Sequence, residues 1–448
     1  MRKLLENLEH AQNPIKVGLV GCGRFGSMVA AQIFRTTGMR LSLVCDINTQ
    51  SAIHKLESAD IPKELLIDRS LKHQTSKKDN TTHINITDNF SSLLTSDLTV
   101  IVEATGNPVV GAYHAYKAIQ SGKHLIMANV EADVLVGPIL NTLANSNNVV
   151  YSLAFGDQPA LIEELYDWAL STGFEVIAAG KGTKYLPEYR KASPEDAYIR
   201  YGYSESDFKK NKLNPKMYNS FLDGTKSAVE MCSVANMTGM IPDVPGMHFP
   251  PASINDIPSK LIPKSEGGIL SQTNVVEVIS CLNRDGSEII DSLRWGVFVV
   301  ITTDSRYLRN CIKEYGVPTD PTGKYAVMWR PYHFVGMETP ISIAKAYLYN
   351  EPTGSPQHQT CEVVAKAKKN IATKEILEGE GGNNTYGVIV EQQYSIDNKL
   401  LPIGLCDKAK LIKPVIDDAF IRIDEVELDS SNFAADLRNS PTITNNHL

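Results

Sequence analysis

Two short segments in the middle of the chain place lysines beside glycines or a carboxylate, as carbonyl chemistry requires. Lys181 and Lys184 lie three residues apart in a glycine-containing segment that follows an apolar, strand-like run. Asp223 precedes Lys226 by three residues, at the predicted start of a helix over 225–238. A lysine can hold a phosphate or stabilise a forming alkoxide, and a nearby carboxylate can transfer protons. These four residues are the catalytic candidates; a solvated basic loop and a helix-capping role for Asp223 remain alternatives.

A glycine-rich segment near the N-terminus has the spacing G-x-G-x-x-G. It follows the apolar run 15–20 and precedes an apolar helical pattern, which is the strand–turn–helix context of a dinucleotide site. The glycines permit a tight turn, close approach of a pyrophosphate and packing of helix on strand, while the helix N-terminus offers free N–H groups. The residues assigned to cofactor binding here are Gly21, Gly23, Arg24, Phe25 and Gly26.

Asp46 ends a second predicted strand, 20 residues after Gly26. An acid at this place usually binds the ribose hydroxyls of the adenosine, although a turn or cap role is the alternative. Because a carboxylate repels a 2′-phosphate, Asp46 favours NAD over NADP. Arg24 and the segment after Asp46 could offset that preference, so the sequence leaves the choice between NADPH and NADH open.

Two further turns follow predicted strands of the same sheet. The turn after the strand 98–102 is expected to line the nicotinamide ribose, although a simple Asn-Pro turn is the alternative. Its candidate residues are Thr105, Gly106 and Asn107. Glu131 follows the next strand and is a candidate ligand for Mg²⁺ or Mn²⁺, because hard cations prefer oxygen ligands. The alternative for Glu131 is an ordinary surface carboxylate.

The alternation of strands and helices predicts an α/β protein whose first part, residues 1–155, is a Rossmann-type doubly wound parallel sheet. Residues 156–355 are predicted to form an α+β catalytic and dimerisation domain, with a hairpin at Asp285-Gly286 joining strands over 275–283 and 295–303. The other predicted segments are a polar surface excursion over 64–92, a small β-rich domain over 356–428 and a disordered tail over 429–448.

Composition excludes several classes of protein. The chain has 448 residues, with 44 Lys plus Arg against 51 Asp plus Glu and a formal net charge of −7. This balance gives no electrostatic case for nucleic acid or an anionic membrane. We therefore expect neither as a partner. The sequence also contains no run of 18 apolar residues, so it predicts no transmembrane helix. Seven scattered cysteines do not form a disulfide framework, and a cytoplasmic location is the simplest expectation.

Four motifs carry a resemblance to a known family. The segments 103–108, 156–160, 179–187 and 221–227 resemble homoserine-dehydrogenase-like oxidoreductases with a C-terminal SAF (antifreeze-like) domain. Within that family the sequence resembles the deoxyxylulose-phosphate-reductoisomerase-like (DRL) group, and the resemblance extends over about residues 1–428. The motifs are long and specific to the family, but less specific about the substrate.

The resemblance implies NADPH-dependent conversion of 1-deoxy-D-xylulose 5-phosphate to 2-C-methyl-D-erythritol 4-phosphate, a step of isoprenoid precursor synthesis. It also implies a homodimer, a divalent cation and a lysine–carboxylate pair, for which Asp223 and Lys226 are the matching residues. NADPH conflicts with the NAD preference expected from Asp46. A plain NAD(P)-dependent dehydrogenase of a small hydroxy acid, amino-alcohol or polyol is the alternative, and a cofactor-sensing protein without turnover is a third.

Overall fold

The structure is a computed structural model and describes residues 1–70, 83–210, 213–429 and 431–440. The chain forms two compact units that are not continuous in sequence. Unit 1 contains Met1–Ala160, Phe334–Pro356 and the segment from Phe433, and unit 2 contains Leu161–His333 and Gln357–Asn432. This division differs from the predicted boundaries, because residues 334–356 join unit 1 and residues 357–428 share unit 2 with the predicted catalytic segment.

The strands are β1 (Ile15–Val20), β2 (Met39–Cys45), β3 (Leu66–Asp68), β4 (Ile84–Thr87), β5 (Val100–Glu103), β6 (His124–Met127), β7 (Tyr151–Leu153), β8 (Glu175–Thr183), β9 (Ile241–Pro242), β10 (Val275–Ser280), β11 (Val297–Thr302), β12 (Tyr325–Arg330), β13 (Cys361–Ala367), β14 (Thr385–Glu391), β15 (Lys410–Leu411) and β16 (Val426–Glu427).

The helices are α1 (Arg2–His10), α2 (Arg24–Arg35), α3 (Thr49–Ser58), α4 (Ser91–Thr95), α5 (Pro108–Gln120), α6 (Val130–Ser146), α7 (Gln158–Ser171), α8 (Ala197–Arg200), α9 (Glu205–Lys210), α10 (Pro215–Leu222), α11 (Thr225–Thr238), α12 (Ile257–Lys260), α13 (Arg306–Glu314), α14 (Pro340–Tyr349), α15 (Gln392–Asp397) and α16 (Phe433–Arg438). Among the described residues, no helix is both long and apolar enough to cross a membrane.

Unit 1 is built on a seven-stranded sheet in the order β3-β4-β2-β1-β5-β6-β7, and every pairing in it is parallel. β1 is buried at five of its six positions, as expected for a central parallel strand covered on both faces. The strand order reverses between β1 and β5, so the turns after these two strands lie at the topological switch point. In open α/β sheets this is where ligands bind.

The edge of this sheet corrects the prediction for residues 64–92. That polar segment was expected to be a surface excursion, but it contributes β3 and β4, and Ile84 and Ile86 are buried. Such short edge strands need few buried side chains, so polar neighbours hide them in the sequence. Residues 71–82 lie outside the described residues.

Unit 2 is built on a mixed five-stranded sheet in the order β12-β11-β8-β10-β9. The predicted hairpin between β10 and β11 is wrong, because β8 lies between them, parallel to β10 and antiparallel to β11. The Asp285-Gly286 turn closes only a local loop, in which the Asn283 N–H donates to the Ser287 carbonyl at 2.8 Å. Gly180 lets β10 approach β8 closely because it has no side chain. A Cβ at this position would lie 1.7 Å from the Glu277 carbonyl oxygen.

Helix α11 connects the sheet of unit 2 to the C-terminal segment. Its bounds match the predicted helix 225–238, and twelve of its fourteen residues are buried. It contacts β10 as well as the antiparallel pair β13–β14. The Thr225 hydroxyl accepts the Gly387 N–H at 2.8 Å, and the Asn236 side chain accepts the Cys361 N–H at 3.0 Å. With the second pair β15–β16, these strands confirm small antiparallel sheets near the C-terminus, as well as the α/β class as a whole.

The predicted disordered tail over 429–448 contains a helix. In α16, the Phe433 ring meets Tyr113 and Tyr116 of α5 edge-on, with centroids 5.4 and 5.5 Å apart. The Arg438 guanidinium donates to the Leu135 carbonyl of α6 at 2.7 Å. The composition is polar, but a few apolar side chains suffice to anchor this turn of helix on unit 1.

Candidate functional site

The glycine-rich turn between β1 and α2 forms a cradle that is tightly packed at Gly21 and Gly26 and open at Gly23. A Cβ at Gly26 would lie 2.0 Å from the Gly21 carbonyl oxygen, so only glycine lets α2 approach the turn. At Gly23 a Cβ would meet nothing within 4 Å, which leaves open space beside the backbone. Tight packing beneath the turn and open space above it are the arrangement that a pyrophosphate needs.

The start of α2 supplies the electrostatics of this cradle. Gly23 is its N-cap and makes no side-chain capping hydrogen bond, so the first N–H groups of the twelve-residue helix remain available to phosphate oxygens. Arg24 is exposed at the first helical position and Phe25 is partly buried behind it. The residues present therefore fit a dinucleotide.

Asp46 lies against the same turn. One oxygen of its carboxylate accepts the Cys22 N–H at 2.8 Å, and the other accepts the Asn48 N–H at 2.9 Å. Burial and the Asp46 charge raise the pKa of Cys22 to about 12, so this cysteine is a neutral thiol beneath the cradle. The next residue, Ile47, is 98% exposed, and it is the apolar surface on this loop that an adenine ring could cover.

The second turn at the switch point surrounds a buried carboxylate that was not among the candidates. Glu103 is fully buried and accepts from the Thr105 N–H and hydroxyl, with His114 Nδ1 at 3.4 Å. Its Oε2 has no hydrogen-bond partner within the described part of the chain. Gly106 has a positive φ of 69°. Asn107 caps α5 by accepting the Val110 N–H at 3.0 Å, which is the Asn-Pro turn held as the alternative.

Glu131 lies in the first turn of α6 and is partly buried. The nearby Asp133 is buried and accepts the Tyr151 hydroxyl at 2.8 Å. Within residues 1–70, 83–210, 213–429 and 431–440, no group of three or more His, Cys, Asp or Glu side chains could hold a metal ion. A site of two carboxylates completed by substrate oxygens, the arrangement expected at Glu131, stays a prediction.

Lys181 projects from β8 onto α11. Its side chain is buried, and its ammonium forms a hydrogen-bonded ion pair with Glu230, which is buried as well. A buried charge is tolerated only when it is paired and hydrogen-bonded. The pair therefore holds β8 and α11 in a fixed relation at this point.

Lys226 belongs to the same group of charges. It precedes Glu230 by four residues on α11, a spacing that places two side chains on one helix face. Burial alone would raise the pKa of Glu230, but the charges of Lys181 and Lys226 outweigh it and hold that pKa below its ordinary value. His333 adds a smaller effect in the same direction. We call Lys181, Glu230 and Lys226 the lysine–glutamate cluster.

Lys184 is separated from this cluster. Its ammonium donates to the Arg200 carbonyl of α8 at 2.6 Å and lies 5.9 Å from the Tyr201 ring centroid. Burial, and then the Arg294 charge, lower its pKa. Lys184 lies one residue beyond the end of β8, and its partner in α8 differs from the Glu230 partner of Lys181, so the two lysines do not converge on one ligand.

Asp223 does not pair with Lys226. It is 2% exposed; one carboxylate oxygen accepts the Thr225 N–H at 2.9 Å, and the other lies 2.7 Å from Lys368 Nζ. Lys368 follows β13 in the C-terminal segment and is also buried. The helix-start role of Asp223 is therefore present in the structure, with an added partner distant in the sequence.

In unit 2, Glu230 and Lys368 are charged residues that the sequence analysis missed. Glu230 had a signal, because a carboxylate four residues after a candidate lysine on a predicted helix shares its face. Lys368 had none, because nothing local relates it to Asp223.

Two family models match separate parts of the chain. The NAD-binding domain of homoserine dehydrogenase matches residues 21–152, and the catalytic domain of oxidoreductase DRL matches residues 156–339. Each segment is thus similar to a domain of an oxidoreductase. The first match covers the glycine cradle and Asp46, and the second covers the lysine–glutamate cluster.

Individual relatives resemble parts of the chain. Homoserine dehydrogenase from Neisseria gonorrhoeae is 25% identical over 213 residues, which are 43% of this chain and 43% of that protein. The chain thus spans less than half the length of that relative. Biliverdin reductase from Synechocystis has a TM-score of 0.26 at 18% identity, over 39% of this chain and 48% of that one. The WlbA dehydrogenase from Bordetella pertussis has a TM-score of 0.28 at 18% identity, over 42% and 50%.

Proposed function

We propose that this protein uses NAD(P)H to reduce the carbonyl group of a small polar substrate. A dinucleotide bound at the glycine cradle supplies a hydride. The backbone N–H groups at the start of α2 hold its pyrophosphate, and Asp46 accepts hydrogen bonds from its adenosine ribose. The single observation that carries this proposal is the lysine–glutamate cluster, which falls inside the segment matched by an oxidoreductase catalytic domain.

The cluster has the charges that carbonyl reduction needs. Hydride addition turns the carbonyl oxygen into an alkoxide, which must be stabilised and then protonated. Lys226 is the residue we assign to both tasks. Glu230 holds the position of Lys226 electrostatically, and Lys181 keeps Glu230 ionised. Lys181 is thus a positioning residue here.

For the substrate, we propose 1-deoxy-D-xylulose 5-phosphate, with 2-C-methyl-D-erythritol 4-phosphate as product. This choice rests on the resemblance to the DRL group; the match of residues 156–339 to the catalytic domain of oxidoreductase DRL names no substrate. The carbon skeleton would first rearrange to an aldehyde, with a substrate hydroxyl deprotonated and the carbonyl oxygen held by Lys226. The aldehyde would then accept the hydride and one proton. No step is assigned to a cation, and the assay with Mg²⁺, Mn²⁺ or chelator tests whether the reaction needs one.

A plain homoserine-type dehydrogenase is the second candidate. It is favoured by the match of residues 21–152 to the NAD-binding domain of homoserine dehydrogenase. This reaction uses the same cradle and the same Lys226, but it needs no rearrangement of the substrate skeleton.

The test is nicotinamide absorbance at 340 nm with 1-deoxy-D-xylulose 5-phosphate. NADPH and NADH are compared in parallel, with Mg²⁺, with Mn²⁺ and with chelator, and the product is identified by mass spectrometry. Methylerythritol phosphate as product would support the reductoisomerase. Cofactor binding without turnover of this substrate, followed by oxidation of homoserine or a polyol, would overturn it in favour of the dehydrogenase.

A variant pair tests the role of Lys226. We expect Lys226→Met to lower kcat by about 10³-fold, in the range found when an alkoxide-stabilising group is removed. Lys313→Met is the matched control, because Lys313 is exposed on α13, and we expect its kcat within twofold of wild type. Full activity of Lys226→Met would exclude the assignment. The implied homodimer is a separate proposal, checked by sedimentation.

A further inference from the structure

We propose that Asp223 and Lys368 are positioning residues whose buried ion pair fixes the start of α11, and with it Lys226, to the C-terminal segment of unit 2. This inference rests on the proposed role of Lys226. It assigns to residues 357–432 a part in catalysis that their lack of an evident catalytic constellation conceals.

The contacts of Lys368 leave it no other task. Its ammonium donates to the Ala192 carbonyl at 2.9 Å and to the Gly382 carbonyl at 2.8 Å, and lies 2.7 Å from Asp223 Oδ2. Two of its N–H donors are therefore used by carbonyl oxygens, and the contact with Asp223 is an ion pair. Lys368 is 4% exposed. Its ammonium therefore joins three segments of unit 2, those that contain Ala192, Asp223 and Gly382.

The contacts of Asp223 are equally specific. Its second oxygen accepts the Thr225 N–H at 2.9 Å, which satisfies one of the free N–H groups at the start of α11. The preceding helix, α10, ends at Leu222 with Asp223 as its C-cap, and Gly224 has a φ of 87°, in the left-handed region that favours glycine. Lys226 is two residues further on, and its direction depends on how this turn is held.

Two parallel contacts join the same segments. The Asn219 side chain donates to the Ala192 carbonyl at 3.0 Å and to the Gly381 carbonyl at 2.9 Å. The Thr225 hydroxyl accepts the Gly387 N–H at 2.8 Å. The C-terminal segment thus reaches the start of α11 from both sides of the ion pair.

An acid–base role for Asp223 does not fit these contacts. Both carboxylate oxygens are engaged, and the side chain is excluded from solvent. Deprotonating a substrate would require breaking an ion pair inside the protein, which costs far more than the same step at an exposed carboxylate.

The experiment compares Lys368→Met, Asp223→Asn and the double variant. Lys368→Met leaves a buried carboxylate without its counter-ion, so we expect Tm to fall by about 5–10 °C and kcat per folded protein to fall at least 30-fold. The double variant replaces the ion pair by neutral groups, which is often tolerated. We expect it to recover most of the lost Tm and to reach at least a tenth of the wild-type kcat, with the limbs of the pH profile unchanged.

Lys366→Met is the matched control. Lys366 precedes Lys368 by two residues and pairs at 3.1 Å with Asp418, whose side chain is exposed. Solvent reaches this pair at Asp418, which is 64% exposed, whereas the pair of Lys368 is enclosed on both sides. A solvent-screened pair contributes little, so we expect Tm and kcat near those of wild type.

A second readout does not depend on the substrate. The rate at which an amine reagent modifies Lys226, measured by mass spectrometry of the folded protein, reports how that side chain is held. We expect at least a threefold change in Lys368→Met and a rate near wild type in the double variant. Such a change in a protein that turns over no tested substrate would refute the proposed function alone.

Two outcomes would overturn the inference. If the double variant folds but remains as inactive as a catalytic knock-out, Asp223 itself takes part in proton transfer. If Lys368→Met folds with wild-type kcat and wild-type modification of Lys226, the ion pair is structural only.

Discussion

The two units assemble their functional groups by different means. In unit 1 the site is made mainly of backbone groups and glycines, and the Asp46 carboxylate accepts a backbone N–H from Cys22, 24 residues away. In unit 2 the site is made of buried side-chain charges. Lys181 and Glu230 meet across 49 residues, and the Thr225 hydroxyl meets Gly387 across 162.

The difference determines how each site can fail. A backbone site tolerates changes in most side chains but not an added Cβ where segments touch. A site of buried charges tolerates changes in side-chain volume better than the loss of one partner. The remaining charge is then neither paired nor solvated, which costs free energy. The following predictions separate these two behaviours.

The largest effect is expected from breaking the lysine–glutamate cluster. Glu230→Leu leaves the buried Lys181 ammonium unpaired, so we expect the free energy of unfolding to fall by about 3–5 kcal/mol. Urea denaturation followed by fluorescence measures this loss. The double variant Lys181→Met with Glu230→Leu removes both charges and should regain most of it. A single variant as stable as wild type would show that the pair is not buried as described.

In unit 1 the comparison predicts a binding defect. Gly26→Ala places a Cβ 2.0 Å from the Gly21 carbonyl oxygen, so we expect the Kd for NADH or NADPH to rise about 100-fold, or 2.7 kcal/mol, with a lower Tm. Gly23→Ala meets no protein atom within 4 Å and should weaken binding without lowering Tm. Fluorescence titration and thermal melts distinguish the two; equal melts would argue against the close contact.

Asp46 is expected to control the choice between NADH and NADPH in unit 1. We expect Asp46→Ser to shift the ratio of Kd values toward NADPH by about tenfold, equivalent to 1.4 kcal/mol, because the variant no longer repels a 2′-phosphate. Its hydroxyl can still accept the Cys22 N–H. An unchanged ratio would mean that Arg24 or the loop after Asp46 controls cofactor choice.

The smallest effect is expected from His248 and the two carboxylates beside it in unit 2. His248 donates to Glu277 with Nδ1 2.8 Å from its carboxylate, and Asp243 lies 3.4 Å from Nε2. The hydrogen bond to Glu277 raises the pKa of His248, because it outweighs the opposite effects of burial and of the Lys264 charge. The Arg284 guanidinium donates to the backbone carbonyl of His248 at 3.5 Å. A raised pKa stabilises the fold below pH 6.5, and this contribution is lost as pH rises through the folded-state value.

Because solvent screens this partly exposed group, the loss should stay below about 1 kcal/mol. Thermal melts between pH 6 and pH 9 measure it, and His248→Gln should flatten the curve by that amount. If the curves of Tm against pH run parallel in wild type and His248→Gln, His248 does not cause the pH dependence of stability.

Much of unit 1 could be predicted from the sequence because its signals are local. The run 15–20, the three glycines and Asp46 follow one another within a single strand–turn–helix–strand repeat, and backbone geometry leaves one arrangement for them. Helix α11 was predictable for the same reason. Even in unit 1, β3 and β4 escaped, since three or four residues at a sheet edge carry too little pattern.

The partners in unit 2 were decided by tertiary structure alone. Lys181, Lys184, Asp223 and Lys226 were found by residue type, but the sequence could not show that Lys184 points away, or that Asp223 belongs to Lys368. Strand order is equally non-local, because β8 enters between β10 and β11 from far upstream. A charge pairs with whatever opposite charge the fold buries beside it, and that choice is made by packing over the whole unit.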